Sequence, residues 1–127
     1  AAEHDAELRA AEKAFAERQQ GRTVNSRWQQ VQTHIESTNP NDWRLAIIEA
    51  DIMLDEALSE LGYAGTTIGD KLKSASPTQI STIDDAWKAH RTRNEIAHAG
   101  TDFVLTQRLA RETISQYERV FNELGTV

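Results

Sequence analysis

Arg93, Asn94 and His98 stand close together in the stretch Ala86–Gly100, which reads AWKAHRTRNEIAHAG. A permanently charged guanidinium, a side-chain amide and an imidazole that titrates near neutrality are thereby grouped on the closing turns of one helical segment. These types suit chemistry on a phosphodiester. The guanidinium can stabilise charge on phosphoryl oxygens, the amide can orient, and the imidazole can move a proton. Such a set works without a metal, so no metal ligand and no cofactor is expected. Lys88, His90 and Arg91 surround it as candidate substrate-binding groups.

Spacing alone does not single out this set. An arginine followed five to seven residues later by a histidine occurs as Arg27 and His34, Arg91 and His98, and Arg93 and His98. Only Arg93 is followed at once by Asn94, and only the pairs ending at His98 close a long helix whose stripe has turned from apolar to polar. At about 100° per residue, Asn94 and His98 lie about 40° apart and share a face, whereas Arg93 and His98 are about 140° apart. A second molecule packed across the helix would bring both groups into one cleft. The bland alternative is a helix-end cap with a surface salt bridge from Arg93 or His98 to Glu95 or Asp102.

Other polar residues read more simply. His90 shares a stripe with Trp87 and Asn94 and is expected to be partly buried, while His4 and His34 are expected to face solvent. The histidines lack a carboxylate pattern that would make a metal site. Glu49, Asp51, Asp55, Glu56 and Glu60 read as a solvated acidic face, within which Asp51 or Asp55 could reach Arg93 or His98 from a neighbouring helix. Trp28, Trp43 and Trp87 are expected core anchors.

The elements that must position this set are all helical. Residues 1–22 are rich in Ala, Glu and Arg with only Leu8 and Phe15 large and apolar, which predicts a solvated helical arm or stalk ending near Gln20–Gly21. Residues 25–127 form the domain. Trp28, Val31 and Ile35 mark a helix over 25–37. Asn39-Pro40-Asn41-Asp42 is a helix start, with Asn39 as cap, Pro40 in first position and Asp42 at the positive end of the dipole. From there Trp43, Ile47, Ala50, Leu54, Ala57 and Leu61 step by threes and fours up to Gly62. A short helix lies within Thr66–Ala75, and Ser76-Pro77-Thr78-Gln79 is a further start signal with a capping box and a break near Ser81. Ile83, Ala86, Trp87, His90, Asn94 and Ala97 then share a stripe up to Gly100, and Thr106 caps a last helix whose Ala110, Ile114, Tyr117, Phe121 and Leu124 face inward. No segment alternates with period two. The expected fold is all-α, an antiparallel bundle of about four main helices plus a short helix.

Composition bounds the function. The chain has 127 residues, enough for one domain with its own core, and no cysteine, which excludes disulfides and thiolate metal sites and fits a reducing, cytoplasmic compartment. A net charge of −6 argues against coating nucleic acid by bulk electrostatics, leaving Lys88, Arg91 and Arg93 as a local basic site. No apolar run is long enough to span a bilayer. The chain opens on Ala1 rather than Met, so a trimmed or processed start is expected.

The stretch RNEIAH, Arg93 to His98, resembles the Arg-polar-x-x-x-His signature of the HEPN superfamily, many of whose members are metal-independent ribonucleases. The resemblance spans about Trp28 to Leu124. NPNDWRLAIIEADIMLDEAL, GYAGTTIGDKLK and AWKAHRTRNEIAHAG are similar to an uncharacterised bacterial branch of it. It implies a homodimer in which Arg93, Asn94 and His98 of both copies line one cleft. It also implies RNA as partner, cleaved by attack of a ribose 2′-hydroxyl on the adjacent phosphorus, with DNA left uncut. Members of that branch often carry an N-terminal membrane anchor, which would make residues 1–22 a stalk on the cytoplasmic face. A toxin branch has tyrosine two residues after the histidine, where this chain has Gly100. Two other readings stand beside the nuclease: a non-catalytic helical interaction domain, and RNA or nucleotide binding without cleavage.

Overall fold

Residues chosen by helix-end chemistry set the boundaries of the bundle. In the computed structural model, which describes residues 2–19 and 23–127, the helices are α1 (Ala2–Gln19), α2 (Val24–Glu36), α3 (Pro40–Glu60), α4 (Ile68–Ser74), α5 (Ile83–Ala99) and α6 (Gln107–Leu124), with a 3-10 turn at Gly100–Asp102. No strand occurs among the described residues. Asn39 accepts from the Asn41 amide with Pro40 in the first turn, and Thr106 accepts from the Leu109 amide at 3.1 Å, as their sequence positions predict. Gly125 ends α6 in the left-handed conformation that glycine adopts without strain.

The start at Ser76 differs in an instructive way. Gln79 Oε1 does accept from the Ser76 amide at 2.9 Å, as a capping box requires, but only one turn forms before the chain breaks at Ser81. Buried Ile80 pins that turn to the core, and α5 starts afresh at Ile83. Its cap, Thr82, makes no side-chain bond to its own helix. Instead Ser81 and Thr82 donate both amides and both hydroxyls to the Glu123 carboxylate of α6, at 2.5–2.9 Å.

The core is shared by α2, α3, α5 and α6, with Leu72 of α4 closing one side. Trp28 meets Phe121 edge-on with ring centres 5.4 Å apart, and Tyr117 stacks on Phe121 at 6.1 Å. Trp28 and Trp43 are buried, as expected of anchors, and Trp87 is half-buried. On α5 the buried face also takes in Ala89 and Ile96.

Two features depart from the sequence reading. The acidic stretch of α3 is not uniformly solvated: Glu49 is 1% and Asp51 3% exposed, each with a cationic partner in place, Arg27 for Glu49 and Arg93 for Asp51. α1 is helical but not free of the bundle; it runs against α3 and α5. One described contact is an ion pair from Glu12 to Arg93, which an apolar stripe does not announce. The expectations for the side chains of His4 and Phe15, and for a break at Gln20–Gly21, fall outside the described residues. Among the described residues no helix is long and apolar enough to cross a membrane.

Candidate functional site

Asp51 is the point from which the site is built. On α3 it follows Ile47 by four residues and precedes Leu54 by three, so helical geometry aims it inward with the apolar stripe. A buried carboxylate needs donors on its oxygens. Two side chains supply them, the Tyr117 hydroxyl donating at 2.7 Å and His90 Nδ1 lying 3.1 Å and 3.2 Å from the two oxygens, while Arg93 Nε makes an ion pair from 3.6 Å. An ionised carboxylate only accepts, so the proton of a neutral His90 sits on Nδ1 and Nε2 carries the basic lone pair. Burial, reinforced by the negative charge of Asp51, pushes the Tyr117 hydroxyl well above its ordinary range and keeps it a donor.

Arg93 is held at both ends. Its Nε faces Asp51, its Nη2 donates to both carboxylate oxygens of Glu12 on α1, and its Nη1 approaches Asn94 Oδ1 at 3.4 Å. The Arg93 side chain is 20% and that of Glu12 13% exposed, so neither charge is fully screened by water. One cation thus stands between two carboxylates.

These groups open onto a cleft of about 360 Å³ lined by Asp51, His90, Arg93, Asn94 and the start of α4, Thr67 to Gly69. The wall from α4 depends on local chemistry. Gly65 has φ +142°, and a Cβ there would stand 2.5 Å from Asp70 Cβ, so the loop can fold this tightly only with glycine. Thr67 then caps α4 by accepting from the Asp70 amide at 3.1 Å, and Lys71 ties the helix to α3 through Asp55.

The structure sorts the six candidate residues by helix face. His90, Arg93 and Asn94 come together on the cleft. Lys88 and Arg91 line a different groove of about 400 Å³ with Glu95, Phe103, Leu109 and Glu112, because positions 88, 91, 92 and 95 form the adjoining stripe of α5. His98 is exposed on the last turn of α5 and is not part of the cleft lining. Gly100, which ends the helix, is buried at φ +58°, a conformation that a tyrosine there would strain.

Sequence reasoning placed Tyr117 in the core without its hydroxyl's partner and missed Glu12 altogether. A signal for Asp51 was present, since it is a carboxylate in register with Ile47, Leu54 and Leu58 rather than beside them. Chemically, the cleft offers an imidazole held by a carboxylate, an anion-stabilising guanidinium and an amide. Among the described residues no group of three His, Cys, Asp or Glu side chains could hold a metal ion. No family model, curated protein or solved structure matches this chain.

Proposed function

We propose that this protein is a metal-independent endoribonuclease domain of the HEPN kind, acting as a homodimer in the cytoplasm or on the cytoplasmic face of a membrane. One observation supports the reading above others: His90, Arg93 and Asn94, from successive turns of α5, share an open cleft with Asp51 behind the imidazole. A carboxylate on Nδ1 fixes the tautomer and orientation of His90 and leaves Nε2 as the base, an arrangement that favours general base catalysis. His90 takes the proton of a ribose 2′-hydroxyl as that oxygen bonds to the adjacent phosphorus. The bond from phosphorus to the 5′-oxygen breaks, and the leaving oxygen takes a proton from His98 of the partner subunit. Arg93 stabilises charge on the phosphoryl oxygens, and Asn94 orients the phosphate. The products are a 2′,3′-cyclic phosphate and a free 5′-hydroxyl.

The test uses purified protein, single-stranded RNA and EDTA across pH 5–9. Wild type is expected to cut RNA and to leave DNA and 2′-O-methyl RNA whole. His90→Ala, Arg93→Ala and His98→Ala should each slow cutting by at least about 100-fold while keeping the helical spectrum and the dimer. Intact RNA under all these conditions overturns the nuclease.

A second reading, RNA binding or protein interaction without cleavage, is favoured by the engagement of Arg93 at both ends by carboxylates. It predicts a gel shift without cutting, or altered self-association of the Arg93 and His98 variants with no shift.

A further inference from the structure

We propose that Glu12 is a built-in occupant of the phosphate site at Arg93, so that α1 competes with RNA for that guanidinium until a backbone phosphate displaces it. The proposal rests on the cleft being the RNA site and adds how that site is regulated.

The contact has the form expected of a stand-in ligand. A guanidinium binds carboxylate and phosphate through the same planar donors, and here both oxygens of Glu12 accept from Nη2. Asp51 already holds the Nε side. With Glu12 in place, two carboxylates face one guanidinium, and an incoming phosphodiester would add a further negative charge to a half-buried site. With Glu12 withdrawn, Arg93 keeps its buried partner and presents its outer donors to the cleft.

The attachment of α1 suits a displaceable arm. Among the described residues the hydrophobic core takes no side chain from α1, and Leu8 is only half-buried. Among its described contacts with the bundle is the Glu12–Arg93 pair, and a charge pair with partial exposure weakens with salt and yields to a competing anion.

The experiment uses the full chain and a 2′-O-methyl RNA, which lacks the attacking hydroxyl and so reports binding alone. Glu12→Gln keeps the size of the side chain and removes its charge. It is expected to bind this RNA about tenfold more tightly than wild type at fixed salt, and Arg93→Gln in the same chain should abolish the gain. In the wild type, amide hydrogen exchange of α1 should accelerate on adding the RNA, a measurement that needs no variant to fold. The proposal is overturned if Glu12→Gln binds no more tightly and α1 exchange is unchanged by bound RNA, or if neither protein binds the RNA. Tighter binding and α1 release with no cutting of unmodified RNA would uphold the arm and sink the nuclease. Efficient cutting by wild type with α1 still protected would do the reverse.

Discussion

Asp51 gathers groups from three helices beyond its own: His90 and Arg93 on α5, Tyr117 on α6 and, through Arg93, Glu12 on α1. Its burial costs free energy that only this donor set offsets. Removing one neutral donor should therefore cost less than removing the acceptor. Tyr117→Phe deletes a hydroxyl bonded to a charged group and is expected to lower stability by about 1.5–3 kcal/mol. Asp51→Ala leaves Arg93 and His90 without their shared buried partner and should cost about 3–5 kcal/mol. Urea unfolding measures both, and the reverse order would show that Asp51 is not the organising charge. Part of this cluster was legible in the sequence, since Asp51 keeps the register of Ile47 and Leu54. Which donors would meet it was not, because 39 residues separate Asp51 from His90 and 66 separate it from Tyr117.

α5, the helix that carries the cleft residues, begins without a side-chain cap of its own. Glu123 of α6 takes over that role across 41 and 42 residues of sequence, accepting from Ser81 and Thr82. A carboxylate at a helix start also complements the dipole. The hydroxyl of Thr82 first, then the amide of Ser81, lower the Glu123 carboxyl from its ordinary 4.5 to about 2. The folded form thus holds its proton less tightly than the unfolded chain. The stability Glu123 contributes is whole above about pH 4.5 and is lost as pH falls towards about 2. Glu123→Gln should flatten the acid limb of a plot of melting temperature against pH over that window. Because Glu123 is exposed, its loss at neutral pH is a cap-sized effect of about 0.5–1 kcal/mol. An acid limb unchanged by the substitution would mean that other carboxylates set it. Sequence signals found the stop at Ser81 but not its cause, since a cap borrowed from a distant helix has no local signature.

At the scale of the molecule, the cleft keeps its shape because a dense core sets how α3, α5 and α6 face one another. Phe121 is fully buried between Trp28 and Tyr117. Phe121→Ala should cost about 3–5 kcal/mol in denaturant unfolding. A loss under about 1 kcal/mol would mean that this aromatic cluster does not anchor the bundle. Helix ends and most inward faces were readable from the sequence because they rest on period, caps and breakers within a few residues, as at Asn39-Pro40, Thr106 and Gly125, whereas Leu61, in step with the apolar face of α3, caps that helix and is 54% exposed. The types of side chain that could act on a phosphodiester were readable for the same reason. Helical period likewise puts His90, Arg93 and Asn94 on one side of α5 and Lys88 and Arg91 on the adjoining stripe. Tertiary structure alone decided what met them: it buried Asp51 against His90 and Tyr117 and brought Glu12 onto Arg93. Those are long-range meetings of charges, and charge partners across a fold leave no periodic trace in a chain.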